Sequence, residues 1–269
     1  VALLNARIQD KLNDDFPELT DALLGTLYPH YQRPIPSMSI VQFVPAAALD
    51  QCAQVPPQTL LDTPTFRGES CRFSTCYPVD IQPLKVESAA LLARPFVAPG
   101  ADAVGGADAV LRICLRTLSN ELSISTLKPK KVRFYLRGQP KHVYPLYEHL
   151  LNESVRLVLT SSEIDNKPVF CEADCIQPVG FGVSEGLLPY PANAFVGYRL
   201  LTEYFVFPQK FLFVDIDLTR LPEGARNELN LYIYLKNSDS ELEHYINAST
   251  FALGCTPVVN LFPQVADPV

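Results

Sequence analysis

Three acids are the first candidates for chemistry. Asp215 and Asp217 stand two residues apart in Phe213-Val-Asp-Ile-Asp217, and in a strand that spacing puts both carboxylates on one face. Glu203 lies on a neighbouring element. Converging carboxylates can donate and accept protons at one bond, so Glu203, Asp215 and Asp217 define an enzymatic reading, a β-rich hydrolase. The same acids alternate with Leu212, Val214, Ile216 and Leu218, which is also the pattern of a strand with one face in water. Gly180-Phe-Gly182-Val-Ser-Glu-Gly186 could cradle a phosphate, but its spacing misses the dinucleotide fingerprint by one residue. Leu187-Leu188-Pro189 follows where a helix N-terminus should face the phosphate, so the run reads as a plain loop. The four histidines, His30, His142, His149 and His244, are scattered, and Cys171-x3-Cys175 and Cys71-x4-Cys76 have none nearby. Neither a metal nor a cofactor is expected. Taken together, these residues do not form an arrangement that catalysis requires.

The elements that would position them are those of a globular chain. Its 269 residues are 48% hydrophobic and 19% charged, enough apolar content for a sizeable core. A net charge of −7 argues against general nucleic-acid binding, and the basic run Lys128-Pro-Lys-Lys-Val-Arg133 reads as a solvated loop. An odd count of seven cysteines fits reduced core thiols and a cytosolic setting. No apolar run approaches the length of a membrane span. A small-molecule substrate is not expected either. The chain lacks a starting Met, and its helical pattern begins without a cap, so an internal fragment of a longer protein is expected.

Leu4, Ile8 and Leu12 share a helical stripe, and Leu19, Leu23 and Leu27 continue one after the break at Asp14-Asp-Phe-Pro17. Pro29 stops the second helix, and Pro34 and Pro36 stiffen the entry to a strand over Ser37–Phe43. Beyond it, prolines punctuate short alternating runs, as a strand-rich domain does. Ala98 to Asp108 reads as a flexible loop. A repeat of about 100 residues then emerges. Leu111-x-Ile113-x-Leu115 matches Leu212-x-Val214-x-Ile216, and Val132-x-Phe134-x-Leu136 matches Leu231-x-Ile233-x-Leu235. Each second strand is followed by a helix-like stretch, at Tyr147–Leu151 and Leu242–Ile246. The fold class is therefore α+β and β-rich: an N-terminal helical arm followed by two related strand-strand-strand-helix modules. The boundaries are 1–33 for the arm, 34–170 and 171–254 for the modules, and 255–269 for the start of a further truncated one. Tyrosine-proline clusters at Tyr28-Pro29, Tyr77-Pro78, Tyr144-Pro145 and Pro189-Tyr190-Pro191 suit half-wet contacts with turns or partners.

Several segments in order resemble one family. They are Leu12-x-Asp-Asp-Phe-Pro-Glu-Leu-Thr20, Leu27-Tyr-Pro-His-Tyr31, Pro34-Ile-Pro-Ser-Met-Ser-Ile-Val-Gln-Phe43 and Arg133-Phe-Tyr-Leu-Arg-Gly-Gln-Pro140. Leu187-Leu-Pro-Tyr-Pro191 and Cys255-Thr-Pro-Val-Val-Asn-Leu-Phe262 complete the set. The chain resembles the type VI secretion baseplate subunit TssF (ImpG/VasA). That resemblance implies a non-enzymatic wedge component, similar to wedge subunits of contractile phage baseplates. It implies assembly with TssG, TssK, TssE, a second TssF copy and the central spike hub, as the platform for sheath and tube. It also implies a cytoplasmic ring at the inner membrane, touching the membrane complex indirectly. Helices of the family bundle with TssG, so Leu4, Ile8 and Leu12 are the expected interface.

Overall fold

Pro17 stands at the first position of a helix, where its missing N–H is no loss, and Glu18 follows in the first turn, where the helix dipole favours an acid. The computed structural model describes residues 2–12, 17–28, 31, 33–46, 48–65, 67–162, 167–191 and 194–264. The break at residues 13–16, and Pro29 itself, lie outside them. The arm is α1 (Ala2–Leu12) and α2 (Pro17–Leu27). Then come β1 (Met38–Gln42), β2 (Ala53–Val55), β3 (Leu60–Asp62), β4 (Arg72–Thr75) and β5 (Val79–Ile81). They are followed by β6 (Leu84–Ala93), β7 (Ala109–Thr117), the single turn α3 (Ile124–Leu127) and β8 (Lys131–Leu136). Next are α4 (Pro140–Asn152), β9 (Ser154–Thr160), β10 (Val169–Glu172), β11 (Ile176–Val179) and α5 (Val196–Val206). The chain continues through β12 (Phe213–Asp217), β13 (Glu228–Leu235), α6 (Ser240–Tyr245), β14 (Phe251–Ala252) and β15 (Cys255–Val259). The protein is thus α+β and β-rich with helices at its N-terminal end.

Two sheets share one core. The first runs β10-β9-β13-β7-β6 and the second β11-β12-β8-β14, with every neighbouring pair antiparallel. Period-two alternation sends Leu111, Ile113, Leu115, Leu231 and Ile233 of the first sheet inward. Val132, Phe134, Leu136, Val214 and Ile216 of the second enter the same apolar cluster, with Leu146 of α4 and Leu242 of α6. Strands from before and after residue 170 therefore interleave in both sheets. Before it, β6, β7, β8, α4 and β9 follow in order, and after it β11, β12, β13, α6 and β14. Exchanging each strand for its counterpart converts β9-β13-β7-β6 into β14-β8-β12-β11, which is the order of the other sheet. In each sheet an earlier strand pairs with a later one, β7 with β13 and β8 with β12.

The outer faces are covered too. Sequence alternation leaves Tyr232 and Tyr234 on the face of β13 opposite the core, yet both are buried. Ala98 to Asp108, expected as a flexible loop, is what covers them. Val104 and Ala107 are buried against Val110, Val158 and Tyr234, and the Tyr234 hydroxyl donates to the Pro99 carbonyl at 2.8 Å. Alanines and a valine give this segment an apolar underside, and Gly100 lets it lie close. Gly100 has φ +82, and a Cβ there would stand 2.8 Å from the Phe170 ring. On the second sheet, Phe213 and Tyr135 point outward into a cluster with Tyr77, Cys255, Met38 and Ile40. The last two belong to a third sheet, β1-β15-β4-β3. Cys255–Val259, expected to open a further module, pairs there with both β1 and β4. Helix α4 begins at Pro140, seven residues before the expected stretch, because Pro140 occupies its first turn and the helix accommodates Pro145.

Candidate functional site: an exposed apolar surface over a buried ion cluster

The arm carries its apolar residues into solvent. On α1, Leu4 and Ile8 are 63% and 56% exposed. Leu12 closes the helix, but its side chain lies outside the described residues. On α2, Leu19, Leu23 and Leu27 are likewise exposed along one stripe. Past α2, Tyr28 meets Tyr198 of α5 edge to face at 5.5 Å between ring centroids. Leu24, Tyr31, Ile35, Leu188, Leu201 and Leu261 are among the residues lining a mostly apolar groove of about 680 Å³ there.

Helix α5 is amphipathic in the reverse sense. Its exposed side chains are Tyr198, Leu201, Tyr204, Phe205 and Val206, and its buried ones are Arg199 and Glu203. Glu203 is fully buried beside Lys210, also fully buried, and the two form a short ion-paired hydrogen bond. Glu203 Oε1 also accepts the N–H groups of Leu187 and Leu188, at 2.7 and 3.1 Å. Lys210 Nζ donates to the Glu185 carbonyl at 3.0 Å. Arg199 donates to the carbonyls of Val183 and Gly182, both at 2.8 Å. Burial pushes the Lys210 ammonium down from its ordinary value, and the charge and hydrogen bond of Glu203 oppose that push. The glycine run 180–186 is therefore a loop folded around buried charges. Glu185 turns back to accept the N–H groups of Gly180 and Gly182 at 2.8 and 2.9 Å. The cluster ties α5 to the loop through its charged side, so its aromatic side faces out.

The three acids are placed in separate structural roles. Glu203 is sealed from solvent. Asp215, expected in water, is mostly buried beneath Arg133, which grips it at 2.6 and 2.8 Å, with Lys131 at 2.7 Å. Burial raises its pKa, but the hydrogen bonds and charges of Arg133 and Lys131 outweigh burial and hold the carboxyl below its ordinary range. The basic run 128–133 is thereby half engaged in a charge network and not wholly solvated. Asp217 is exposed and accepts the Thr219 N–H at 2.7 Å, a local turn contact. Both aspartates border a groove with Lys128, Lys130 and Gln177 that Glu203 does not reach. All seven cysteines are free, and among the described residues no group of three potential ligands could hold a metal. Nor is any helix among them long and apolar enough to cross a membrane.

A family model described as "Type VI secretion system, TssF" matches residues 1–269. The chain belongs to the TssF family. The type VI secretion system component TssF1 of Pseudomonas aeruginosa is 33% identical over 282 residues, covering 99% of this chain and 44% of that relative. A chain in the cryo-electron microscopy structure of the TssK-TssF-TssG baseplate subcomplex matches with a TM-score of 0.77 and 27% identity. That match covers 100% of this chain and 49% of the other. The chain thus spans about half the length of the relatives it matches. Helical spacing gives the stripe of Leu4, Ile8 and Leu12 without saying what it faces, and α5 was not anticipated. The available signal was Arg199 and Glu203 four apart in an otherwise aromatic and aliphatic run, the spacing of a same-face pair.

Proposed function

We propose that this chain is a structural part of a type VI secretion baseplate wedge, holding partners through the exposed apolar surface of the arm and α5. The observation that carries the reading is the reversal of α5, where charge is buried and aromatic surface faces out. Contiguous exposed apolar surface of this kind marks a protein interaction site. Its partners in this reading are TssG and TssK, named with TssF in the matched subcomplex. The resemblance extends the reading to TssE, a second TssF copy and the spike hub, in a cytoplasmic ring at the inner membrane. Leu4, Ile8 and Leu12 are the proposed contact of α1 with a TssG helix bundle. The role is mechanical and non-enzymatic, and the separate placement of Glu203, Asp215 and Asp217 supports it.

The test is co-purification with co-expressed TssG and TssK. Ile8→Asp with Leu4→Asp, and separately Tyr204→Ser with Phe205→Ser, should abolish or sharply weaken recovery of a partner while circular dichroism and melting stay unchanged. Full recovery by both folded double variants rejects the proposed surface.

The matching strand orders of the two sheets support a second reading, that 34–170 and 171–254 contain two copies of one β-β-β-α-β unit. Backbone superposition of 84–160 on 176–252 should align all five elements in sequence order; failure of that alignment removes the reading.

A further inference from the structure

Helices α4 and α6 occupy corresponding places in the two modules and lie side by side, but their N-termini differ. Asp239 precedes α6, and its carboxylate accepts the N–H groups of Glu241 and Leu242 at 2.9 and 3.2 Å. Gln139 holds the same position before α4, a helix of 13 residues, and makes no side-chain cap. A cavity of about 190 Å³ opens there, bordered by Arg137, Gln139, His142, Leu146, Tyr245 and Asn247, among others. His142 is only 8% exposed, yet among the described residues neither ring nitrogen has a hydrogen-bond partner. A buried imidazole without partners is costly, since one nitrogen must donate and both need compensation for lost water. Its ring is held in place by stacking on Tyr245, with centroids 3.9 Å apart and an interplanar angle of 24°.

The charges around the cavity favour an anion. Arg137 is exposed and anchors only its Nε, donating to the Ser249 carbonyl at 3.2 Å. Lys141 lies on the first turn of α4, and the helix dipole adds partial positive charge there. The opposing group is Glu241, which is 3.6 Å from Lys141 Nζ and 4.0 Å from His142 Nδ1, beyond hydrogen-bond distance. Its side chain is 63% exposed, so water screens it. Size and precedent within the fold narrow the anion. The cavity holds one small group, and the corresponding helix is completed by a carboxylate.

We propose that the cavity between α4 and α6 is a carboxylate-binding site, with Arg137 and His142 as its side-chain donors and the N-terminal end of α4 as a favourable field; Pro140 has no N–H, and those of His142 and Val143 already donate to the Gln139 carbonyl. A free small carboxylate and an acidic side chain of another protein share this chemistry. The experiment titrates the full chain, with isotope-labelled histidine, against propionate, N-acetylglutamate methylamide and the glutamine analogue, at constant ionic strength in chloride. The resonance absent from His142→Phe, which keeps the ring stack, should shift saturably with both carboxylates and not with the glutamine analogue. Arg137→Gln should weaken binding by about tenfold or more, as loss of a charge-assisted hydrogen bond does. Tighter binding of the glutamate derivative than of propionate assigns the site to a protein side chain, and the reverse order to a free carboxylate. A His142 resonance that is unmoved by either carboxylate overturns the proposal. So does one that follows chloride equally, or one whose response survives Arg137→Gln unchanged.

Discussion

Glu203 shows how a buried charge can be both costly and fixed. Its carboxylate is fully buried and is compensated by Lys210 and two backbone N–H groups. Removing one partner leaves the other uncompensated, so Glu203→Gln should lower stability by about 3–5 kcal/mol, read from the urea midpoint at unchanged slope. Glu203→Leu combined with Lys210→Met removes the closest pair but leaves Arg199, whose Nε is 3.9 Å from Glu203, so it should recover only part of that loss; a double variant weaker than the single one would refute the pairing argument. Asp215 adds a pH dependence. Its folded pKa is depressed by Arg133 and Lys131, so its contribution is present above the unfolded value near 3.8 and is lost as pH falls through the folded value. Asp215→Asn should therefore be less stable than the parent at neutral pH, and its stability should fall less steeply below about pH 4. Equal acid slopes for both proteins in thermal melts would contradict the assignment. The thiols follow burial in the same way. Cys114, Cys171 and Cys255 are pushed up to about 11, whereas Cys71 is exposed, so alkylation at pH 8 should label Cys71 well ahead of those three.

At the scale of elements, α5 and the segment over 98–108 carry the two outcomes least evident from residue patterns. The exposed side of α5 makes few demands on the fold, so Tyr204→Ser with Phe205→Ser should shift folding stability by no more than about 1 kcal/mol. The same change should reduce self-association in sedimentation, since an unpartnered aromatic face is adhesive. The 98–108 cover behaves oppositely. Gly100→Ala places a side chain at φ +82 and against the Phe170 ring, and should cost about 1–3 kcal/mol with faster proteolysis within the cover. Strand pairs with clear alternation, Val132-x-Phe134-x-Leu136 and Leu231-x-Ile233-x-Leu235, were legible because inward positions must be apolar at every second residue. The exposed leucines of the arm were legible as a stripe, although spacing alone does not say whether a stripe faces the chain's own sheets or solvent. The spacing of Arg199 and Glu203 puts them on one face, but neither their burial nor that of Tyr232 and Tyr234 could be read locally. Each depends on what a segment distant in sequence lays over it, the 96–107 stretch in one case and the 180–188 loop with Lys210 in the other.

The whole molecule is interlocked by its strand exchange, and this sets how it must fold. Cut near residue 168, the first part would retain the pairs β6–β7, β3–β4 and β2–β5, with β9 losing β13 and β10, and β8 left without a neighbour because β12 and β14 lie in the second part. The second part would retain β11–β12, and β13 would lose both β7 and β9. Two-stranded pairs are marginal in water, and neither half could bury the shared core, whose inward residues come from both. Heat or urea should therefore unfold this region in one cooperative transition, with far-ultraviolet and aromatic signals coincident. Cutting the chain near residue 168 supplies the sharper test. Each half expressed alone should be insoluble or lack the cooperative melt, whereas the two co-expressed should associate and restore it. A half that melts cooperatively by itself would mean that the modules are independent bodies after all, and the interleaving would then be a consequence of docking and not a condition of folding.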